Sequence, residues 1–272
     1  SQRLEEERQL ELLRQALKDH EWYYGSKGFD LTRNLQSIYA NPTNNNATIS
    51  HKHTPEKDSR FFWNQAVAES LASTNALSEL VIPVTSAFCG VYTNLTVENV
   101  EYDQLLISRR SRFRAGTRFT KRGADAEGNV ANYVETEQIV IADSTIYSHV
   151  QTRGSIPLRW SSPTDIKTYR PRVRIGTDPL AQARALREHL TDQTHRYIQP
   201  SDGQKQLPGM VLLNLIDKKS DQGRLGRAFD AVLSAVLDVY SSDSTLPWTD
   251  HIQLVWFDFH AEVKAGRWEK LQ

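Results

Sequence analysis

The run Met210-Val211-Leu212-Leu213-Asn214-Leu215-Ile216 constrains the fold more than any other stretch of this sequence. An apolar segment this short and continuous reads as a strand buried on both faces. Ile252-Gln253-Leu254-Val255-Trp256-Phe257 reads as a second such strand, leading into a terminal helix. Between them, Phe229, Val232, Leu233, Val236 and Leu237 recur at helical spacing and predict a helix from Gly226 to Tyr240. Another helix is expected from Pro179 to His195, with Leu180, Ala183, Leu186 and Leu190 on its face, Asp178 as N-cap and Pro179 in the first turn. Helix, strand, helix, strand is the signature of an α/β layer. The chain as a whole reads as mixed α/β, a mixed β-sheet flanked by helices.

The first half is less regular. Leu4, Leu10, Leu13 and Leu17 predict an amphipathic helix over residues 3–18, and Asn41 to Ser59 has loop composition. Arg60-Phe61-Phe62-Trp63-Asn64 opens a helical stretch that ends near Leu71. Short strands are expected at Val81–Val84 and Phe88–Tyr92, and stronger ones at Tyr102–Ser108, Glu137–Ile141 and Ser144–Thr152.

Charge excludes little by itself, because Lys plus Arg and Asp plus Glu are 33 each. Recognition of an anion must therefore come from local clustering. The single cysteine, Cys89, rules out an intrachain disulfide and a cysteine-built zinc site, which fits a reducing compartment. No stretch approaches the roughly 18 apolar residues of a membrane span. His51-Lys52-His53 reads as a solvated loop rather than a metal site, and no metal or other cofactor is expected. His260-Ala261-Glu262 lacks the Pro-Cys-x-x-Cys partner of a zinc deaminase. The sequons at Asn46 and Asn94 read as chance occurrences.

The sharpest local feature is the block from Arg109 to Gly123, which holds seven cations and no acid. Side chains alternate across a strand, so these cations cannot all converge. Gly116 and Gly123 permit turns that gather guanidinia and backbone amides around one anion. Arginine suits phosphate because its planar fork donates two hydrogen bonds at once. A solvated basic face, or a patch for nucleic acid, fits the same residues.

Arg114-Ala115-Gly116-Thr117-Arg118, with Arg122-Gly123 and then Gly128-Asn129-Val130-Ala131-Asn132-Tyr133-Val134-Glu135-Thr136-Glu137-Gln138, resembles the hallmark block of the suppressor-of-actin (SAC) phosphoinositide phosphatases. Tyr23-Tyr24 with Phe29-Asp30-Leu31-Thr32, Arg60-Phe61-Phe62-Trp63-Asn64, Gln151 to Trp160, Asn214-Leu215-Ile216-Asp217 and Phe257 to Glu262 are similar to further family motifs, in the family's order. The resemblance covers residues 20–272. It implies an N-terminal subdomain ending near residue 98 and the first part of a catalytic domain over 99–272. It also implies hydrolysis of a monoester phosphate from an inositol lipid headgroup, with phosphatidylinositol 4-phosphate the closest match.

The family's nucleophile is the cysteine of a Cys-x5-Arg loop. Cys89 fails that pattern, since Leu95 stands six positions on; it reads as a buried structural thiol. The resemblance places the catalytic loop downstream of Glu262, so this chain by itself is expected to be inactive. Val263 stands where relatives often have cysteine. The substrate-binding set implied by the resemblance is Arg112, Arg114, Arg118, Lys121, Arg122 and Arg153, the last equally readable as a strand-end ion pair. Asp258 and His260, at the carboxyl end of a strand, are expected either to position the missing loop or to bond to backbone. Glu135 and Glu137 are expected to balance arginines structurally. The implied partner is a phosphoinositide headgroup at a membrane surface, not nucleic acid, with a cytoplasmic protein peripheral on Golgi, endosome or plasma membrane. The competing reading is a non-catalytic phosphoinositide-binding or scaffolding module of the same fold.

Overall fold

The computed structural model of the chain describes residues 5–11, 14, 23–25, 29–39, 57–72, 81–117, 120–163, 172–198, 209–241 and 252–263. Arg118 and His51-Lys52-His53 lie outside the described residues. The fold is mixed α/β, and the chain forms two compact units. The first comprises Ser1–Arg112 and Val134–Arg153; the second comprises Phe113–Tyr133 and Gly154–Gln272.

The first unit is built on a five-stranded antiparallel sheet. Its strands are β1 (Tyr23–Gly25), β2 (Val84–Val97), β3 (Val100–Arg110), β4 (Val134–Ala142) and β5 (Thr145–Arg153), paired in that order. The strand expected at Phe88–Tyr92 is longer, since β2 runs 14 residues from Val84 to Val97, and of the strand expected at Val81–Val84 only Val84 belongs to it. Pairing with β1 and β3 carries the strand through Thr85-Ser86-Ala87, where no strand is expected from local pattern: Thr85 lies opposite Tyr24, Ser86 opposite Tyr23 and Ala87 opposite Arg109. Both hairpins close on two-residue turns, Glu98-Asn99 and Asp143-Ser144, whose four residues have positive φ of 48°, 66°, 46° and 64°. That is the turn whose twist matches antiparallel strands. The expected sequon residue Asn94, also at positive φ, lies where the β2–β3 register shifts.

Two short helices belong to this unit, α1 (Leu35–Tyr39) and α2 (Gln65–Ala72). Residues 5–11 are helical, as the leucine spacing predicts; the rest of that expected helix lies largely outside the described residues. The Arg60–Asn64 motif clamps the start of β2. Trp63 donates its amide to Val84 O (2.8 Å) and its indole N–H to Arg110 O (2.8 Å), while Asn64 Oδ1 accepts from Val84 N at 2.7 Å. Phe61 is fully buried, and Ala87, Ile107 and Ile139 of the same unit are buried as well.

The second unit holds α3 (Pro179–Tyr197), β8 (Met210–Asn214), α4 (Ser220–Tyr240), β9 (Ile252–Trp256) and α5 (Phe259–Glu262), with the two-residue strands β6 (Trp160–Ser161) and β7 (Arg174–Ile175). Asp178 caps α3 as expected, accepting from Leu180 N at 3.0 Å and Ala181 N at 3.2 Å. Helix α4 begins six residues before the expected Gly226, at Ser220, and the added residues bury Gly223 and Leu225. Strands β8 and β9 pair in parallel, Leu212 against Leu254. Leu158, Leu186, Leu190, Leu225, Phe229, Leu233 and Val236 form the core, with Met210, Leu212, Ile252 and Leu254 packed on it. Burial on both faces of β8 was the expectation, and it is not met. Val211 and Leu213 are exposed, because the helical core covers the Met210–Leu212 face alone.

Candidate functional site

The arginine block divides between the units, Arg109 to Arg112 in the first and Phe113 to Gly123 in the second. In β3, Arg109 and Arg110 point to opposite faces, as strand alternation demands. Arg109 is wholly buried and saturated with acceptors. Its Nη1 meets Glu135 Oε1 at 3.1 Å, its Nη2 meets Glu137 Oε2 at 2.8 Å, and both carboxylates are at most 1% exposed. Leu31 O and Arg33 O accept from the same guanidinium, at 2.7 and 3.0 Å. The carboxylates in turn accept from Asn34 Nδ2 (3.1 Å) and Leu35 N (2.7 Å). Glu135 and Glu137 thus balance an arginine structurally, as expected. The arginine concerned was legible only as one of seven cations.

Arg112 has protein partners too. Its Nε donates to Ser59 O at 2.6 Å, its Nη2 to Gln65 Oε1 at 2.7 Å, and its amide to Arg60 O at 2.8 Å. Arg153 ends β5, exposed and opposite Val134. Cys89 is half-buried rather than buried, and burial raises its thiol pKa against a smaller lowering by Arg109. A thiol held protonated in a strand is a poor nucleophile.

In the second unit the block becomes a loop folded on itself. Arg114 adopts φ of 49° and donates from Nη2 to Arg122 O at 2.7 Å. Its Nε is buried without a hydrogen-bond partner among the described residues. Arg122 stacks its guanidinium over Trp160, 5.4 Å from the ring centroid, and Lys121 is exposed. The loop is strapped to the Gly154–Trp160 turn: Gly123 N donates to Ser155 Oγ (2.9 Å), Ala124 N to Leu158 O (2.7 Å), and Ser155 N to Ala131 O (3.0 Å). Gly123 is required there. Its φ is 67°, and a Cβ would come to 2.5 Å from Leu158 O. Two motifs separated in sequence thereby form one cation-bearing structure, in which Arg114, Lys121 and Arg122 are brought together.

A second constellation sits where β8 and β9 end. Asp258 Oδ1 accepts from Ala261 N at 3.0 Å, capping α5, and Oδ2 accepts from Lys218 N at 2.9 Å. Those two backbone bonds lower its pKa. His260 Nδ1 lies 2.6 Å from Asp217 Oδ1, and that bond raises the imidazole pKa. Asp217 was missed in the sequence because it looks like an ordinary turn residue. The second oxygen of Asp217 accepts from Gln222 Nε2 at 3.0 Å, so both carboxylates are engaged by donors. Nearby in sequence, Asn214 is buried with Nδ2 unpartnered among the described residues. No group of three or more His, Cys, Asp or Glu with metal-binding geometry occurs among the described residues.

The SacI homology domain matches residues 1–264 of this chain. A protein named phosphatidylinositol-3-phosphatase SAC1-A, from Danio rerio, is 33% identical over 92% of the chain, which spans 38% of that relative. The protein named phosphatidylinositol-3-phosphatase SAC1 from Saccharomyces cerevisiae is 30% identical over 98% of the chain and 39% of its own length. Human synaptojanin-1 is 34% identical over 82% of the chain and 13% of its own length. The chain therefore spans about two fifths of the SAC1 relatives it matches. With its motifs in order and its arginine loop strapped to the Gly154–Trp160 turn, the chain belongs to the SacI homology domain family.

Proposed function

We propose that the chain is the headgroup-binding part of a phosphoinositide phosphatase that removes a monoester phosphate from phosphatidylinositol 4-phosphate. The observation that carries this reading is the loop that gathers Arg114, Lys121 and Arg122, with Arg114 Nε lacking a hydrogen-bond partner among the described residues. An anionic oxygen is the acceptor such a donor lacks. Arg112, Arg118 and Arg153 are proposed as further substrate-binding residues, and residues 1–98 and 99–272 as the N-terminal and catalytic subdomains. The names of the SAC1 relatives support phosphoinositide chemistry, although they specify the 3-phosphate.

The hydrolytic step needs a thiolate and a phosphate-cradling arginine, which Cys89 and Leu95 do not supply. We place that loop in the whole protein outside these 272 residues, with Asp217, Asp258 and His260 ordering the strand ends beside which α/β ligand sites form. The protein acts in the cytoplasm on an endomembrane surface. Among the described residues no helix is long and apolar enough to cross a membrane.

The test is phosphate release by the whole protein from vesicles carrying phosphatidylinositol 4-phosphate or 3-phosphate, beside the 272-residue chain. Turnover by the whole protein and none by the chain supports the reading. Turnover by the chain that survives Cys89→Ser refutes it. Binding without turnover by the whole protein selects the scaffolding alternative, and equal affinity of the chain for duplex DNA removes headgroup specificity.

A further inference from the structure

The turn end of the first unit's sheet is unlike the Arg109 end. Tyr92, Gln104, Val140 and Tyr147 lie directly opposite one another across β2, β3, β4 and β5, so they share a face. Val97 pairs with Val100 at the hairpin end of that same face, which is set by alternation along β3. Val97, Val100 and Tyr147 are 57%, 47% and 59% exposed. On the other face Ile146, opposite Ile141, is also exposed. Apolar side chains gathered at one exposed end mark a contact surface rather than the scattered exposure of any protein.

Charge says what kind of partner fits. No Lys or Arg occurs between Val84 and Ser108 or between Val134 and Thr152. Glu98, Glu101, Asp103 and Asp143 stand at or beside the two turns, while the other two carboxylates of these strands, Glu135 and Glu137, are buried with Arg109. An acidic rim repels an anionic bilayer and attracts cations.

We infer that the paired hairpin turns of β2–β3 and β4–β5 form a docking surface for a protein segment presenting apolar side chains bordered by Lys or Arg. The surface uses none of the residues of the headgroup reading and stands or falls separately from it. Matched charge sets the encounter, and burial of Tyr92, Val97, Val100 and Tyr147 supplies affinity.

The test titrates the chain with an amphipathic helical peptide of Leu and Lys, its Leu and Glu counterpart, and phosphatidylserine vesicles. The lysine peptide is expected to bind with affinity that falls as salt rises, and the glutamate peptide is expected not to bind. The pair Val97→Ser and Tyr147→Ser, and separately Glu101→Lys with Asp143→Asn, should each weaken the lysine peptide roughly tenfold. Asn keeps the positive φ of the turn available. Circular dichroism verifies the fold of each variant, and binding to phosphatidylinositol 4-phosphate vesicles should be unchanged in both. Affinity for the lysine peptide that neither variant changes would overturn the proposal. So would equal binding of the glutamate peptide, or vesicle binding that the Val97→Ser and Tyr147→Ser pair abolishes.

Discussion

Arg109 and Arg122 come from one run of cations, yet they end in opposite physical states. Arg109 is taken into a sheet, fully enclosed, with two carboxylates and two carbonyls on its guanidinium. Arg122 sits on a loop, stacked on Trp160, with Arg114 donating to its carbonyl. A buried guanidinium must be matched on the spot, because desolvation of an unmatched charge costs several kcal/mol. Composition cannot separate these cases; backbone conformation does.

The largest expected effect breaks the buried side of this contrast. Arg109→Met should lower stability by about 3–5 kcal/mol, read as a lower urea midpoint, since Glu137 would be left buried without its cation and Glu135 with Arg60 at 3.7 Å. A midpoint within experimental error of the parent would show that the cluster is not a structural ion network. Gly123→Ala comes next. Its backbone conformation and the approach of Leu158 O predict a loss of about 1–3 kcal/mol together with weakened anion binding, because the cation loop would shift. Lost stability with headgroup binding intact would separate the loop's shape from its function.

Arg112 is the residue that sharpens the comparison. Its bonds to Ser59 O and Gln65 Oε1 predict that Arg112→Ala costs about 1.5–3 kcal/mol. Weakened vesicle binding at unchanged stability would move it to the ligand side. Arg122→Ala should cost about 0.5–1 kcal/mol for the lost stacking on Trp160, while affinity for phosphatidylinositol 4-phosphate vesicles falls roughly tenfold. Unchanged vesicle affinity would remove Arg122 from the site.

The smallest effect is the titration of His260, a cation that neither case covers. Asp217 raises its pKa in the folded chain. The stability from this pair is therefore fully present below about pH 6.5, where the unfolded imidazole is also protonated, and is lost as pH rises through the higher folded midpoint. NMR titration of the ring should show that midpoint fall in Asp217→Asn; an unmoved midpoint would show that Asp217 does not hold the proton.

Much of this was legible in the sequence. Helix α3, with Asp178 and Pro179 at its start, and the parallel pair β8 and β9 were marked by apolar spacing and capping chemistry, which are local. The full length of β2 was not, since Thr85-Ser86-Ala87 carries no strand signal and is held by pairing with β1 and β3. The open face of β8 was not legible either. An apolar run shows that burial is available, whereas Val211 and Leu213 show that on one face it is not taken up. At the site, the cation cluster was visible, but Asp217 was not, because its role depends on His260, 43 residues away.

The sequence by itself determined the family, the order of elements, and the absence of any arginine six positions after Cys89, because each of these is carried by residue identity and spacing. Tertiary structure decided which arginine enters a buried ion network and which lies on a loop. Arg109 is committed by Glu135, which the β3–β4 register brings opposite it, and by Glu137, two residues along the same face of β4. Arg114 and Arg122 are gathered by a glycine turn and by Ser155, more than thirty residues further on. Charge is local, but its pairing and burial depend on neighbours supplied by distant chain.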